Sequence, residues 1–65
     1  MYLFKITLNW YGEIHIFYTH AKAETIAIRN SRKRLKIKLG KTPKSTELYY
    51  YFRGHKDNVK VEKLS

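Results

Sequence analysis

Glu47-Leu48-Tyr49-Tyr50-Tyr51-Phe52-Arg53 is the stretch that decides the fold. Four of its seven residues are aromatic, and aromatic side chains favour extended chain. On propensity the stretch reads as a strand. Gly54-His55-Lys56-Asp57-Asn58 follows with turn chemistry, and Val59-Lys60-Val61-Glu62 then alternates as a final strand. A competing reading begins upstream. Leu35, Leu39, Gly40, Thr42, Pro43, Ser45 and Leu48 fit a helix, a turn at Gly40 and a second helix, with Thr42 as N-cap and Pro43 in its first turn. That would be a helix-turn-helix with its recognition helix near Lys44 to Tyr51. The run of aromatics weighs against it, as does the lack of the usual small residue in the first helix. The strand reading is therefore the expectation.

The rest of the chain is built outward from there. Tyr2, Phe4, Ile6 and Leu8 alternate with Lys5, Thr7 and Asn9, which is the period of a half-buried strand. Ile14, Ile16 and Tyr18 repeat the pattern against Glu13, His15, Phe17 and Thr19. Trp10-Tyr11-Gly12 connects the two, and Gly12 supplies a positive φ cheaply, so a tight hairpin is expected. From Ala23 to Leu39 the period becomes helical. Ile28, Leu35 and Leu39 form one stripe, with Ala27 and Ser31 beside them. Gly40 ends the helix and Pro43 blocks its continuation. The order is strand, strand, helix, strand, strand. The expected fold is α+β, a single domain over residues 1–65: ββαββ, a four-stranded, largely antiparallel sheet with one helix on one face.

A chain of 65 residues buries a limited core. It has no cysteine, which excludes disulfides and thiolate zinc sites. His15, His20 and His55 are far apart and form no metal-ligand spacing, so no metal and no cofactor are expected. Six Tyr, three Phe and one Trp provide large apolar bodies to pack instead. No apolar run approaches the roughly 20 residues that span a bilayer, and the N-terminus lacks the pattern of a signal peptide. A cytoplasmic protein without membrane contact is expected. The five carboxylates are isolated in sequence, and no nucleophile motif or phosphate loop is present, so the expectation is a protein that is not an enzyme.

The charge is the functional signal. The net charge is +9, and eight of the fourteen Lys and Arg residues lie between Arg29 and Lys44 with no acid among them. They are Arg29, Arg32, Lys33, Arg34, Lys36, Lys38, Lys41 and Lys44. Part of the cluster complements the negative end of the helix dipole, but that does not require eight cations. A concentrated positive field on a folded body attracts polyanions. Arg29, Lys33 and Lys36 project from the outer face of the helix with Arg34 on its flank, while Arg32 and Lys38 border the core stripe. Ile26 and Ile37 lie among them, either as scattered surface apolars or as anchors of a contact. The open face of the sheet is expected to carry Lys5, Thr7, His15, Phe17, Tyr49, Tyr51, Arg53 and Lys60. Aromatics between cations can stack single-stranded bases, although cross-strand aromatic pairs also stabilise sheets with no ligand.

Tyr18-Thr19-His20-Ala21-Lys22-Ala23 entering a helix, and Gly54-His55-Lys56-Asp57-Asn58 before a last strand, resemble small uncharacterised proteins carried by phages and integrated elements of Gram-positive bacteria. The resemblance implies a cytoplasmic accessory protein, a class in which nucleic-acid binding and inhibition of host factors are both common. The leading expectation is a nucleic-acid-binding module, with DNA favoured over RNA. Arg29, Arg32, Lys33, Arg34, Lys36, Lys41 and Lys44 would meet phosphates, and Tyr49 and Tyr51 would meet bases. The alternative is a module that docks an acidic host protein through Ile26 and Ile37. A homodimer is a further reading.

Overall fold

The computed structural model describes residues 1–41 and 43–65. It shows an α+β fold in the order β1 (Tyr2–Trp10), β2 (Glu13–Ala21), α1 (Glu24–Leu39), α2 (Ser45–Gly54), a 3₁₀ turn (Lys56–Asn58) and β3 (Val59–Lys63). The sheet is antiparallel with β1 in the centre, in the order β2-β1-β3. Two helices share one face of it. The expected four strands and one helix are therefore corrected to three strands and two helices.

The correction falls on Glu47–Arg53, which is helical. Leu48 and Phe52 are four residues apart, and both are buried in the core. That spacing puts them on one helical face, while Tyr49, Tyr50 and Arg53 turn outward. A strand would bring Tyr50 onto the same face, whereas the helix buries Leu48 and Phe52 and leaves Tyr50 in water, a packing that outweighs an aromatic β preference spanning only about 1 kcal/mol. The two-helix alternative is thus the local reading that matches. Its second helix starts at Ser45, after Lys44 as the capping position. Thr42, the expected cap, lies outside the described residues.

The helix read from Ala23 to Leu39 is present as α1, with Ala27, Ser31 and Leu35 buried and Ile28 and Leu39 packed at the margin. Ala27 and Ser31 are small, which lets the helix axis lie close to the sheet. Gly40 closes α1 at φ +89°, and its N–H donates to the Lys36 carbonyl at 3.1 Å. Lys36 folds its Nζ back onto the carbonyls of Gly40 and Lys41.

The hairpin corrects a second expectation. The connection is two residues, Tyr11 and Gly12, both at positive φ (50° and 89°). Trp10 faces Glu13, so even-numbered residues of β1 stand opposite odd-numbered residues of β2. A three-residue connection would have matched even with even. The core face therefore carries Phe4, Ile6 and Leu8 from β1, but His15, Phe17, Thr19 and Ala21 from β2. Ile14, Ile16 and Tyr18, expected inside, lie on the open face. Of the residues expected on that face, Lys5, Thr7 and Lys60 are there. His15 and Phe17 are on the core side, and Tyr49, Tyr51 and Arg53 are on α2. Among the described residues, no helix is long and apolar enough to cross a membrane.

Candidate nucleic-acid interface

Helices α1 and α2 lie side by side and leave a groove of about 300 Å³ between them. Arg32, Lys33 and Lys36 line it from α1, and Ser45, Thr46, Tyr49 and Tyr50 from α2. Arg32 and Tyr49 also line the two adjoining depressions. One of these adds Arg29, and the other adds Arg53 and Lys56. The α1–α2 seam is thus a single cationic trough with a stacked pair at its middle.

That pair is Arg32 over Tyr49, 4.9 Å from guanidinium carbon to ring centroid, with Arg53 5.9 Å from the same ring. Tyr49 and Arg53 are four apart on α2, so the helix itself brings them together. Burial lowers the pKa of Arg32. The nearby Tyr49 acts in the opposite direction, and Arg29 adds to the lowering. Arginine remains charged throughout. The direction shows a cation that is partly stripped of water and placed beside a like charge, an arrangement that an anion relieves.

Among the described residues, no carboxylate supplies that anion at ion-pair distance. No lysine or arginine among the described residues forms an ion pair; Glu13 Oε1 lies 3.9 Å from His15 Nε2, beyond hydrogen-bond distance. Several of the cations do hold backbone or ring partners. Lys36 caps the end of α1, and Arg34 Nη1 donates to the Tyr18 carbonyl at 2.7 Å. Arg29, Lys33, Arg53 and Lys56 are exposed.

The structure sorts the residues singled out from sequence. Arg29, Arg32, Lys33, Lys36 and Tyr49 meet along the seam. Arg34 leaves it for the edge of β2. Lys41 and Lys44 are exposed in the connection between the helices. Tyr51 belongs elsewhere. Its ring packs 4.7 Å from each of Trp10, Tyr11 and His55, and its hydroxyl accepts from the Tyr11 N–H at 3.3 Å and from Asn58 Nδ2 at 3.0 Å. Tyr51 thereby ties the hairpin and the 3₁₀ turn to α2. Ile26 packs against the core, whereas Ile37 is 81% exposed. Ser45, Thr46 and Tyr50 fall within the second helix of the two-helix alternative, Arg53 was expected with Tyr49 on the sheet face, and Lys56 was not expected at the site. Reading Tyr49 and Arg53 as a helical i,i+4 pair would have placed Arg53 at the seam.

Among the described residues, no three His, Asp or Glu side chains converge as metal ligands. Searches of known protein families, of curated proteins and of solved structures each found no match to this chain.

Proposed function

We propose that this chain is a small, non-enzymatic nucleic-acid-binding module of phage or mobile-element type, acting in the cytoplasm, whose α1–α2 seam carries a single-stranded segment. The observation that supports this is the unpaired charge of the seam. Arg29, Lys33, Arg53 and Lys56 surround the Arg32–Tyr49 stack, and among the described residues none of them forms an ion pair, although Asp57 shares a depression with Arg53 and Lys56. Phosphates would meet these cations and the Ser45 and Thr46 hydroxyls, supplying affinity with little sequence information. Tyr50 is exposed beside Tyr49 and in edge contact with it, 5.3 Å between centroids, and offers a free ring face to a base. Phosphate contacts are made equally by either sugar, and DNA is retained as the first ligand to test. The acidic-protein reading keeps only one of its two anchors, because Ile26 is committed to the core.

The test is a ¹⁵N-resolved NMR titration with a random single-stranded oligonucleotide. Amide shifts should concentrate on Lys33, Ser45, Thr46, Tyr49 and Arg53 and leave Lys5, Thr7 and Lys60 on the far face of the sheet unmoved. Shifts centred on the sheet face, or none at low salt, would overturn the assignment.

A further inference from the structure

The two edges of the sheet are treated differently. β3 is five residues long and carries Lys60, Glu62 and Lys63, the usual means of discouraging strand addition. β2 is nine residues long, pairs with β1 at every position without a bulge, and contains neither lysine nor proline. Its open-face side chains Ile14, Ile16 and Tyr18 are 57%, 48% and 54% exposed.

The hairpin fixes which main-chain groups face outward. In a two-residue turn with both central φ values positive, the closing pair exchanges hydrogen bonds, and bonded pairs then alternate along the ladder. From Trp10–Glu13 onward, residues 15, 17, 19 and 21 bond to β1. Ile14, Ile16, Tyr18 and His20 present N–H and C=O to the outer edge. Two contacts agree with this. Leu3, opposite His20, spends its N–H and C=O on Ser65 and Leu64 on the β3 side. The Tyr18 carbonyl, on the outer edge, is where Arg34 donates. Ile37 and Asn30 share the α1 flank with Arg34, so an 81%-exposed isoleucine stands on the same side of the molecule.

We infer that the occupant of this edge is a second copy of the chain. The strand is self-complementary about Phe17, the midpoint of Glu13–Ala21. Antiparallel pairing about that point sets Ile14 opposite His20 of the mate and Ile16 opposite Tyr18, all with outward-facing main chain. It forms roughly eight hydrogen bonds and keeps every apolar side chain on the open face. The pairing covers the outward main chain of β2 and the flanks of Ile14, Ile16 and Tyr18, which then stand in adjacent rows across the two strands. The dimer is a six-stranded sheet. Its two-fold axis is perpendicular to the sheet, so both helical layers and both cationic seams lie on one face. Arg34 releases the Tyr18 carbonyl to the Ile16 N–H of the mate and therefore competes with assembly.

Two chains of charge +9 repel, so salt strengthens this association, opposite in sign to its effect on polyanion binding. Sedimentation equilibrium at about 200 μM protein should show a monomer–dimer equilibrium that is tighter in 0.5 M than in 0.05 M salt. Ile16→Pro removes only an outward N–H, and Ile16→Lys adds a charge at the same point. Each should weaken dimerisation at least about tenfold with an unchanged circular dichroism spectrum, and Arg34→Ala should tighten it. A monomer at both salt concentrations, or a dimer indifferent to both Ile16 variants, would overturn the inference.

Discussion

Replacing Arg29, Lys33 and Arg53 together by Gln removes three seam cations that make no side-chain hydrogen bond among the described residues. The magnitude follows from counterion release. The scale is set by one phosphate for each of the four exposed seam cations, Arg29, Lys33, Arg53 and Lys56. A single strand neutralised at four phosphates gives a slope of log K against log salt of about −2.8, so affinity falls about fifty-fold between 50 and 200 mM. The triple variant keeps Lys56, and its slope should flatten to about −0.7. Extrapolated to 1 M salt, where counterion release vanishes, the three lost contacts cost roughly a hundredfold in affinity at 0.1 M. The assay is fluorescence anisotropy of a labelled random oligonucleotide over that salt range. The control is Lys5→Gln with Lys60→Gln, which removes two cations from the opposite face. Equal slopes in the triple variant and the control would refute the seam, because the effect would then follow net charge alone.

Three further outcomes test the packing that forms the seam. Ser31→Ala should stabilise the protein by about 1 kcal/mol, since the buried Oγ has no partner and Ala is the better helix residue; thermal denaturation should rise by about 4–8 °C. Leu48→Ala should cost about 2–5 kcal/mol in urea unfolding while Tyr50→Ser stays within about 0.5, a contrast that separates a helix over this stretch from a strand, in which Leu48 and Tyr50 would share a face. Tyr51→Phe leaves the Tyr11 N–H and Asn58 Nδ2 without their acceptor and should cost about 1 kcal/mol, measured in the same way.

The parts of the fold that local chemistry decides were legible in the sequence. Alternation in Tyr2–Leu8, the helical stripe of Ala27, Ser31 and Leu35, and Gly40 as its stop each depend on neighbours only a few residues away. What was not legible depends on a choice between two satisfactory local patterns. Ile14, Ile16 and Tyr18 alternate as well as His15, Phe17 and Thr19 do, and the decision lies in whether the turn takes two residues or three. Tyr11 at φ 50° takes the strained position that shortens the loop, with Asn9 Oδ1 accepting the Gly12 N–H at 2.8 Å and Tyr51 bracing Tyr11 from across the molecule. That brace is a tertiary contact, invisible to periodicity. Leu48 and Phe52 likewise share a face in either a helix or a strand. The core beneath them, which requires a second helix beside α1, makes the choice.

The same parity accounts for the exposed β2 edge. A one-residue slip would have put Ile14, Ile16 and Tyr18 into the core and left His15 and Thr19 outside, giving an apolar interior and an unremarkable sheet edge. The observed register instead buries His15, whose ring nitrogens find no hydrogen-bond partner, and exposes two isoleucines on an unguarded strand. Neither consequence favours an isolated monomer: the first leaves polar atoms unpaired, and the second leaves apolar surface in water. Pairing at β2 would offset the second cost and place two cationic seams on one surface. A strand long enough to reach both seams would then be held at two points, gaining affinity from proximity with no new contact. Dimerisation and binding respond to salt with opposite signs, so short and long oligonucleotides should diverge as salt rises. Short ones should weaken steadily. Long ones should hold their affinity over the range in which the dimer forms, and parallel salt curves for the two lengths would show that the seams act singly.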